Sequence, residues 1–109
     1  GNILQVSGQV SADPATGEFL HAGDVAKQTE QTLRNVEAIL TAGGASFDDV
    51  VMLRVFLTDR ANFGTMNEAY GAFVGARITS GVLPARTTAI VGLPAEALLV
   101  EIDALAVLD

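Results

Sequence analysis

The chain has 109 residues, of which 50% are apolar and 17% are charged, and this balance excludes a disordered or solvating segment. Its 6 Lys and Arg against 13 Asp and Glu give a formal charge of −7, which argues against nucleic-acid and anionic-membrane partners. With no Cys and one His, disulfides, thiolate catalysis and ordinary metal sites are not expected.

No internal repeat, linker-like stretch or apolar run of about 20 residues occurs, so we predict a single domain over residues 1–109 with no membrane span. The lack of Cys fits a cytoplasmic protein. The strand-like pattern begins almost at once, at Ile3, and no Met precedes it. We therefore expect that a leading segment is missing from the N-terminus.

The first half of the chain predicts a strand, a turn and a helix. Residues 3–10 alternate as a strand, 13–17 hold the Pro and Gly of a turn, and 18–21 suggest a short returning strand. Asp24 is typical of an N-cap, and apolar residues at helical spacing follow it as far as Leu40. Gly43 and Gly44 then predict the helix end.

The second half predicts strand, helix, strand and strand. Residues 50–58 and 98–108 are apolar at both odd and even positions apart from a few charges, whereas 85–91 are rich in Thr and Val. Between them, Phe63, Met66, Tyr70 and Phe73 share one face of a second helix. The order is therefore β-(β)-α-β-α-β-β, an α+β fold.

Two helices cover only one face of such a sheet, yet the strands at 50–58 and 98–108 are patterned for burial on both faces. The chain has no third helix to cover the second face. We therefore expect another copy of the same chain to cover it in a closed oligomer.

Charges inside the apolar strands are the candidate functional residues. Arg86 requires a partner, because an isolated buried charge is costly. The planar guanidinium of Arg suits a carboxylate as that partner. That partner is Glu101 or Asp103 in an ion pair within the chain, a carboxylate across a subunit interface, or the carboxylate of a ligand. A tight hairpin centred between Leu93 and Pro94 would place Arg86 opposite Glu101, but the connection is long enough to skip over an intervening strand.

The remaining candidates have a structural and a functional interpretation each. Gly8, after Ser7 at the end of the first strand, is either a bulge or a place where a ligand approaches the backbone. Asn67 near Tyr70 is either a surface residue or a ligand contact, and Arg54 suits an interface or a sheet edge. Phosphate-binding loops and zinc-protease motifs are absent from the sequence.

Several motifs together resemble the RidA/YjgF family of reactive intermediate deaminases, also labelled the L-PSP endoribonuclease family. They are Val6-Ser7-Gly8-Gln9-Val10, Asp13-Pro14-x-Thr16-Gly17, Met66-Asn67-Glu68-Ala69-Tyr70 and Pro84-Ala85-Arg86, followed by Val100-Glu101-Ile102-Asp103-Ala104-Leu105-Ala106-Val107. The resemblance implies a chorismate-mutase-like two-layer sandwich, with two helices on one face of a mixed sheet. It also implies a homotrimer with clefts between subunits, in which the last two strands are not neighbours.

The resemblance further implies hydrolysis of 2-imino acids or enamines, such as 2-aminoacrylate, to 2-keto acids and ammonia without a metal or organic cofactor. The family's carboxylate-binding Arg corresponds to Arg86 and its water-positioning Glu to Glu101. Its substrate contacts correspond to Ser7, Gly8, Asn67 and Thr88. Thr88 stands where the family often has Cys, and a Tyr that family members supply before the first strand lies outside this sequence.

Two other functions compete with the deaminase. One is a trimer that binds small carboxylates without turnover, and the other is an endoribonuclease, which the charge of −7 opposes. The presence of Arg86 favours the deaminase.

Overall fold

The computed structural model describes all residues from Gly1 to Asp109. Its elements in chain order are β1 (Ile3–Gln9), α1 (Val25–Ala42), β2 (Val50–Leu57), α2 (Phe63–Arg77), β3 (Ala85–Ile90) and β4 (Val100–Val107). Short 3₁₀ turns precede β2 and α2. Neither helix is long and apolar enough to cross a membrane.

Local sequence signals explain the helix boundaries. The Asp24 carboxylate accepts a hydrogen bond from the Lys27 backbone N–H at 3.0 Å, which confirms the predicted N-cap of α1. At the other end, Gly44 has φ +81°, a left-handed conformation that Gly adopts without steric cost. The predicted strand at 18–21 is wrong: only one isolated bridge, between Ala12 and Phe19, forms there.

The sheet is mixed, with the strand order β1-β4-β2-β3. β4 pairs antiparallel with both β1 and β2, and β2 pairs parallel with β3. The final two strands are therefore not neighbours, because β2 lies between them. The Gln28 side chain of α1 anchors the segment that leads into β4: it donates to the Ala97 carbonyl at 2.8 Å and accepts from the Leu99 N–H at 2.9 Å.

Both helices pack on one face of the sheet, as predicted. The core between the layers is mainly aliphatic, although it also includes Phe47, Tyr70 and Phe73. Leu33, Leu53, Leu57 and Ile102 lie in it without solvent exposure. Since side chains alternate across a strand, the residues between these positions lie on the other face. We call that other face the open face.

The open face is partly apolar and is not covered by any element of the chain. Ile3 is 68% exposed there and Val107 38%, and Met52 and Leu105 are half-buried between them. At its centre Arg54 donates to both oxygens of the Asp103 carboxylate, from Nε at 3.0 Å to each and from Nη2 at 2.5 Å to Oδ2. This hydrogen bonding and the carboxylate charge raise the pKa of Arg54. The pair neutralises two charges at the centre of this partly apolar surface.

Candidate functional site

Arg86 lies on the edge strand β3 and points to the helix side of the sheet. It pairs with Leu53 of β2, and paired residues share a face. The Arg86 guanidinium carbon lies 4.7 Å from the centre of the Tyr70 ring and 5.8 Å from that of Phe63. Its Nη1 donates to Asn67 Oδ1 at 2.8 Å. The cation therefore rests on aromatic faces and is oriented by a neutral amide.

The spacing of α2 builds this support. Phe63, Asn67 and Tyr70 are separated by four and three residues, so they lie on one face of the helix, the face turned towards β3. Burial raises the pKa of the Tyr70 hydroxyl, and the positive charge of Arg86 partly opposes that rise. The ring therefore stays neutral beside the guanidinium at physiological pH.

Arg86 has no carboxylate partner within the chain. The ion pairs join Arg34 to Glu30, Arg54 to Asp103, and Arg77 to Glu37. The proposed pairing of Arg86 with Glu101 or Asp103 inside one chain is therefore wrong. Asp103 is engaged by Arg54, and the two-stranded hairpin that would have brought Glu101 to Arg86 does not exist.

Thr88 lies two residues after Arg86 on the same side of β3, where it pairs with Val55. Its Oγ1 is buried and has no hydrogen-bond partner in the chain. A buried hydroxyl without a partner is uncommon and costs free energy. The Thr88 hydroxyl, which makes no hydrogen bond within the chain, is free to bond to a group that binds beside the guanidinium.

A second group of candidates gathers around Glu101. Two residues of β1, Ser7 and Gly8, stand between the pairs Val6–Ala104 and Gln9–Ile102, where β4 supplies only one residue. This extra residue is a β-bulge, as the structural interpretation of Gly8 predicted. A Cβ atom built at Gly8 would lie 2.5 Å from Glu101 Oε2, so the missing side chain gives the Glu101 carboxylate its room.

The two groups lie on opposite faces of the sheet. Arg86 is in register with Leu53, and Glu101 is in register with Phe56, three residues further along β2. An odd separation places two residues on opposite faces. One chain therefore brings Arg86, Asn67 and Thr88 together, and separately Ser7, Gly8 and Glu101, but it does not join the two sets.

Sequence reasoning missed the residues that orient Arg86. The helical spacing alone assigns Phe63 and Tyr70 to the packed face of α2, although their positions on either side of Asn67 are the signal that identifies an aromatic support for Arg86. Asp48 was also missed: its carboxylate accepts from the Thr79 N–H at 2.8 Å, the Ser80 N–H at 3.2 Å and the Thr79 hydroxyl. These bonds anchor the loop that leads from α2 into β3.

The largest cavity lies elsewhere. It measures about 640 Å³ and opens between α1 and the end of α2, where Arg77 is paired with Glu37 and stacks on Phe73. Because its charges are already paired within the chain, it offers less to an anionic ligand than the surroundings of Arg86 do. The acidic side chains and the single His do not gather in a group of three or more that could hold a metal ion.

Comparison with known proteins places this geometry in a family. The model of the family described as endoribonuclease L-PSP matches residues 1–108. The 2-iminobutanoate/2-iminopropanoate deaminase of Escherichia coli is 38% identical over 98% of this chain and 80% of its own length. A RutC family protein of Pyrococcus horikoshii is 41% identical over 97% of this chain and 79% of its own.

Solved structures agree with the sequence matches. Escherichia coli TdcF with bound serine superposes with a TM-score of 0.88 at 35% identity, covering 100% of this chain and 83% of TdcF. The YjgF gene product of Escherichia coli gives a TM-score of 0.86 at 38% identity, covering 98% of this chain and 81% of its own. With a family model and relatives that match over nearly the whole chain, this protein belongs to the RidA/YjgF family.

Proposed function

We propose that this protein hydrolyses reactive 2-imino acids, and their enamine tautomers of the 2-aminoacrylate type, to 2-keto acids and ammonia. The observation that carries the proposal is Arg86: a guanidinium set on two aromatic rings, oriented by Asn67 and left without a carboxylate partner. Such a cation is prepared for a ligand carboxylate. The deaminase names of relatives at 38% identity support the same substrate class.

In this proposal the site forms between two copies of the chain. Arg86, Asn67 and Thr88 of one copy would face Ser7, Gly8 and Glu101 of another, because no single copy can join the two sets. The partly apolar open face is the surface on which copies would associate, and we propose a homotrimer.

The chemistry follows from the two charges. Arg86 would hold the substrate carboxylate through two parallel N–H···O bonds and so fix the position of the imine carbon. Glu101 would orient a water molecule towards that carbon and stabilise the positive charge of the iminium. Addition of water to the C=N bond gives a carbinolamine, and loss of ammonia from it gives the keto acid. Every atom in these steps comes from substrate and water, so the proposal includes no metal or organic cofactor.

A carboxylate-binding protein without turnover is the second candidate, since TdcF was solved with bound serine. RNA cleavage is not proposed, despite the description of the family model. Three of the six basic side chains are engaged in internal ion pairs, so few remain to neutralise phosphates.

The test couples an amino-acid oxidase to the protein and follows keto-acid release. Arg86→Ala should return release to the uncatalysed rate and weaken binding of pyruvate by about 10²-fold or more, since charge-assisted hydrogen bonds are lost. Arg86→Lys keeps the charge without the planar fork and should also lose most turnover. Arg60→Lys, at an exposed position without an ion pair, is the matched control and should behave as wild type.

Glu101→Gln separates the two candidate functions. It should still bind pyruvate while kcat falls, because the charge that assists the iminium and the water is gone. Wild-type protein that binds pyruvate through Arg86 but does not accelerate keto-acid release would establish the carboxylate-binding candidate. Melting temperatures of all variants must accompany the kinetics. Early unfolding with normal turnover by the folded fraction would show that Arg86 and Glu101 are structural.

A further inference from the structure

A second cavity is lined in part by Arg86 but not by Asn67. This cavity of about 270 Å³ opens between α2 and the loop that precedes β3, and most of its surface is apolar. Tyr70, Gly71, Val74 and Gly75 form the helix wall, Leu83 and Pro84 form the loop wall, and Arg86 also lines the cavity.

Two glycines leave the helix wall of the cavity without side chains at their positions. Gly71 and Gly75 are one turn apart on α2, and a Cβ atom at either position would meet no atom within 4 Å. Packing therefore does not require glycine there, although glycine is less favourable than alanine inside a helix. On the opposite wall, Leu83 is 69% exposed, so its side chain contributes little to the core. Both walls leave apolar room that the fold itself does not use.

We propose that this cavity is a subsite for the side chain of the imino acid, and that it selects 2-imino acids with branched aliphatic side chains over those of the alanine or serine type. The inference rests on the proposed function, because Arg86 must hold the carboxylate for the side chain to reach the cavity. Carboxylate and side chain are bonded to the same carbon of a 2-imino acid, so a side chain can enter a cavity that begins at the guanidinium.

Size and chemistry agree with such a ligand. The volume of about 270 Å³ lies just below the range of about 300–1,000 Å³ found for small-molecule pockets, which suits part of a molecule of amino-acid size. Arg86 is the only charged group in the lining. Each methylene buried there should increase affinity about fourfold. The three additional carbons of a leucine-type side chain should therefore give a preference of about tenfold or more over a methyl group, even with partial burial.

The test measures binding of two keto-acid products, 4-methyl-2-oxopentanoate and pyruvate, by titration calorimetry. Wild-type protein should bind the branched keto acid at least about tenfold more tightly than pyruvate. Gly71→Leu fills the cavity and should lower this affinity ratio about tenfold. Leu83→Ala removes most of the Leu83 side chain from the opposite wall without altering the helix and should lower the ratio about threefold. Ala76→Leu, exposed on the same helix and outside the cavity lining, should leave the ratio unchanged.

An affinity ratio that stays the same in both Gly71→Leu and Leu83→Ala would overturn the subsite. Keto-acid release from alanine-derived and leucine-derived imines separates this result from a failure of the proposed function. If each imine is turned over with the same kcat/KM by wild type and by Gly71→Leu, the proposed deaminase function stands and the subsite is refuted. If the keto-acid affinities change as expected but neither imine is turned over, the subsite stands and the proposed deaminase function is refuted.

Discussion

Adding a single methyl group at Gly8 should displace the Glu101 carboxylate without disturbing the fold. A Cβ atom at Gly8 would lie 2.5 Å from Oε2, 2.8 Å from Cδ and 3.2 Å from Cγ of Glu101, where ordinary contacts are 3.4–4 Å. The carboxylate must therefore withdraw by roughly 1 Å. In the proposed function Glu101 orients the attacking water, and a misplacement of about 1 Å in such a group costs about 10²-fold in rate. We therefore expect kcat of Gly8→Ala to fall by about that factor.

Stability should hardly change in the same variant. Gly8 is not among the glycines with positive φ, so alanine meets no backbone strain there. Glu101 is half-buried and its carboxylate can move towards solvent. We expect the free energy of unfolding to stay within about 0.5 kcal/mol of wild type, as for other surface substitutions. Denaturant unfolding monitored by circular dichroism measures this value.

A double-mutant cycle identifies the route of the effect. Keto-acid release is measured for Gly8→Ala, for Glu101→Ala and for the double variant. If the methyl group acts through the carboxylate, then Gly8→Ala should have no further effect once Glu101 is alanine. Gly92→Ala, at a glycine with open space and no positive φ, is the control and should retain full activity. Normal turnover in Gly8→Ala, or an equal loss in both backgrounds, would refute this reasoning.

Three further predictions concern assembly, pH and RNA. Analytical ultracentrifugation should give a species near three times 11.3 kDa, and Leu105→Asp on the open face should weaken it by a few kcal/mol; a stable wild-type monomer would contradict the shared site. Hydrogen bonds from Thr79 and Ser80 lower the pKa of Asp48 below 3.8, so the stabilisation that they give is complete above that pH and is lost as the pH falls through the lowered value. Thermal melts should therefore show a smaller loss of stability between pH 5 and pH 2 for Asp48→Asn than for wild type, and equal losses would contradict the role of Asp48. Fluorescence anisotropy should detect no RNA binding that weakens steeply with salt, and cleavage that survives purification but vanishes in Arg86→Ala would overturn the deaminase assignment.

The sequence determined much of the fold because its signals are local. The Asp24 cap, the glycines after α1 and the apolar spacing of both helices depend on neighbours a few residues away, and the structure confirms each of them. The count of two helices predicted helices on one face of the sheet only, and the structure confirms it. The two-sided apolar pattern of β2 and β4 predicted that another copy of the chain covers the second face, and this stays a prediction. The predicted strand at 18–21 failed because a short polar segment carries too few such signals.

The tertiary structure decided how the candidate residues are grouped. The sequence alone left Arg86 with Glu101, Asp103 or a ligand as its partner, and strand order resolved the choice within the chain: β2 separates β3 from β4, and Arg54 engages Asp103. It also placed Arg86 and Glu101 on opposite faces of the sheet. These facts depend on pairings between residues tens of positions apart and on the parity of each register, and a one-residue slip would reverse them. No local pattern contains that information.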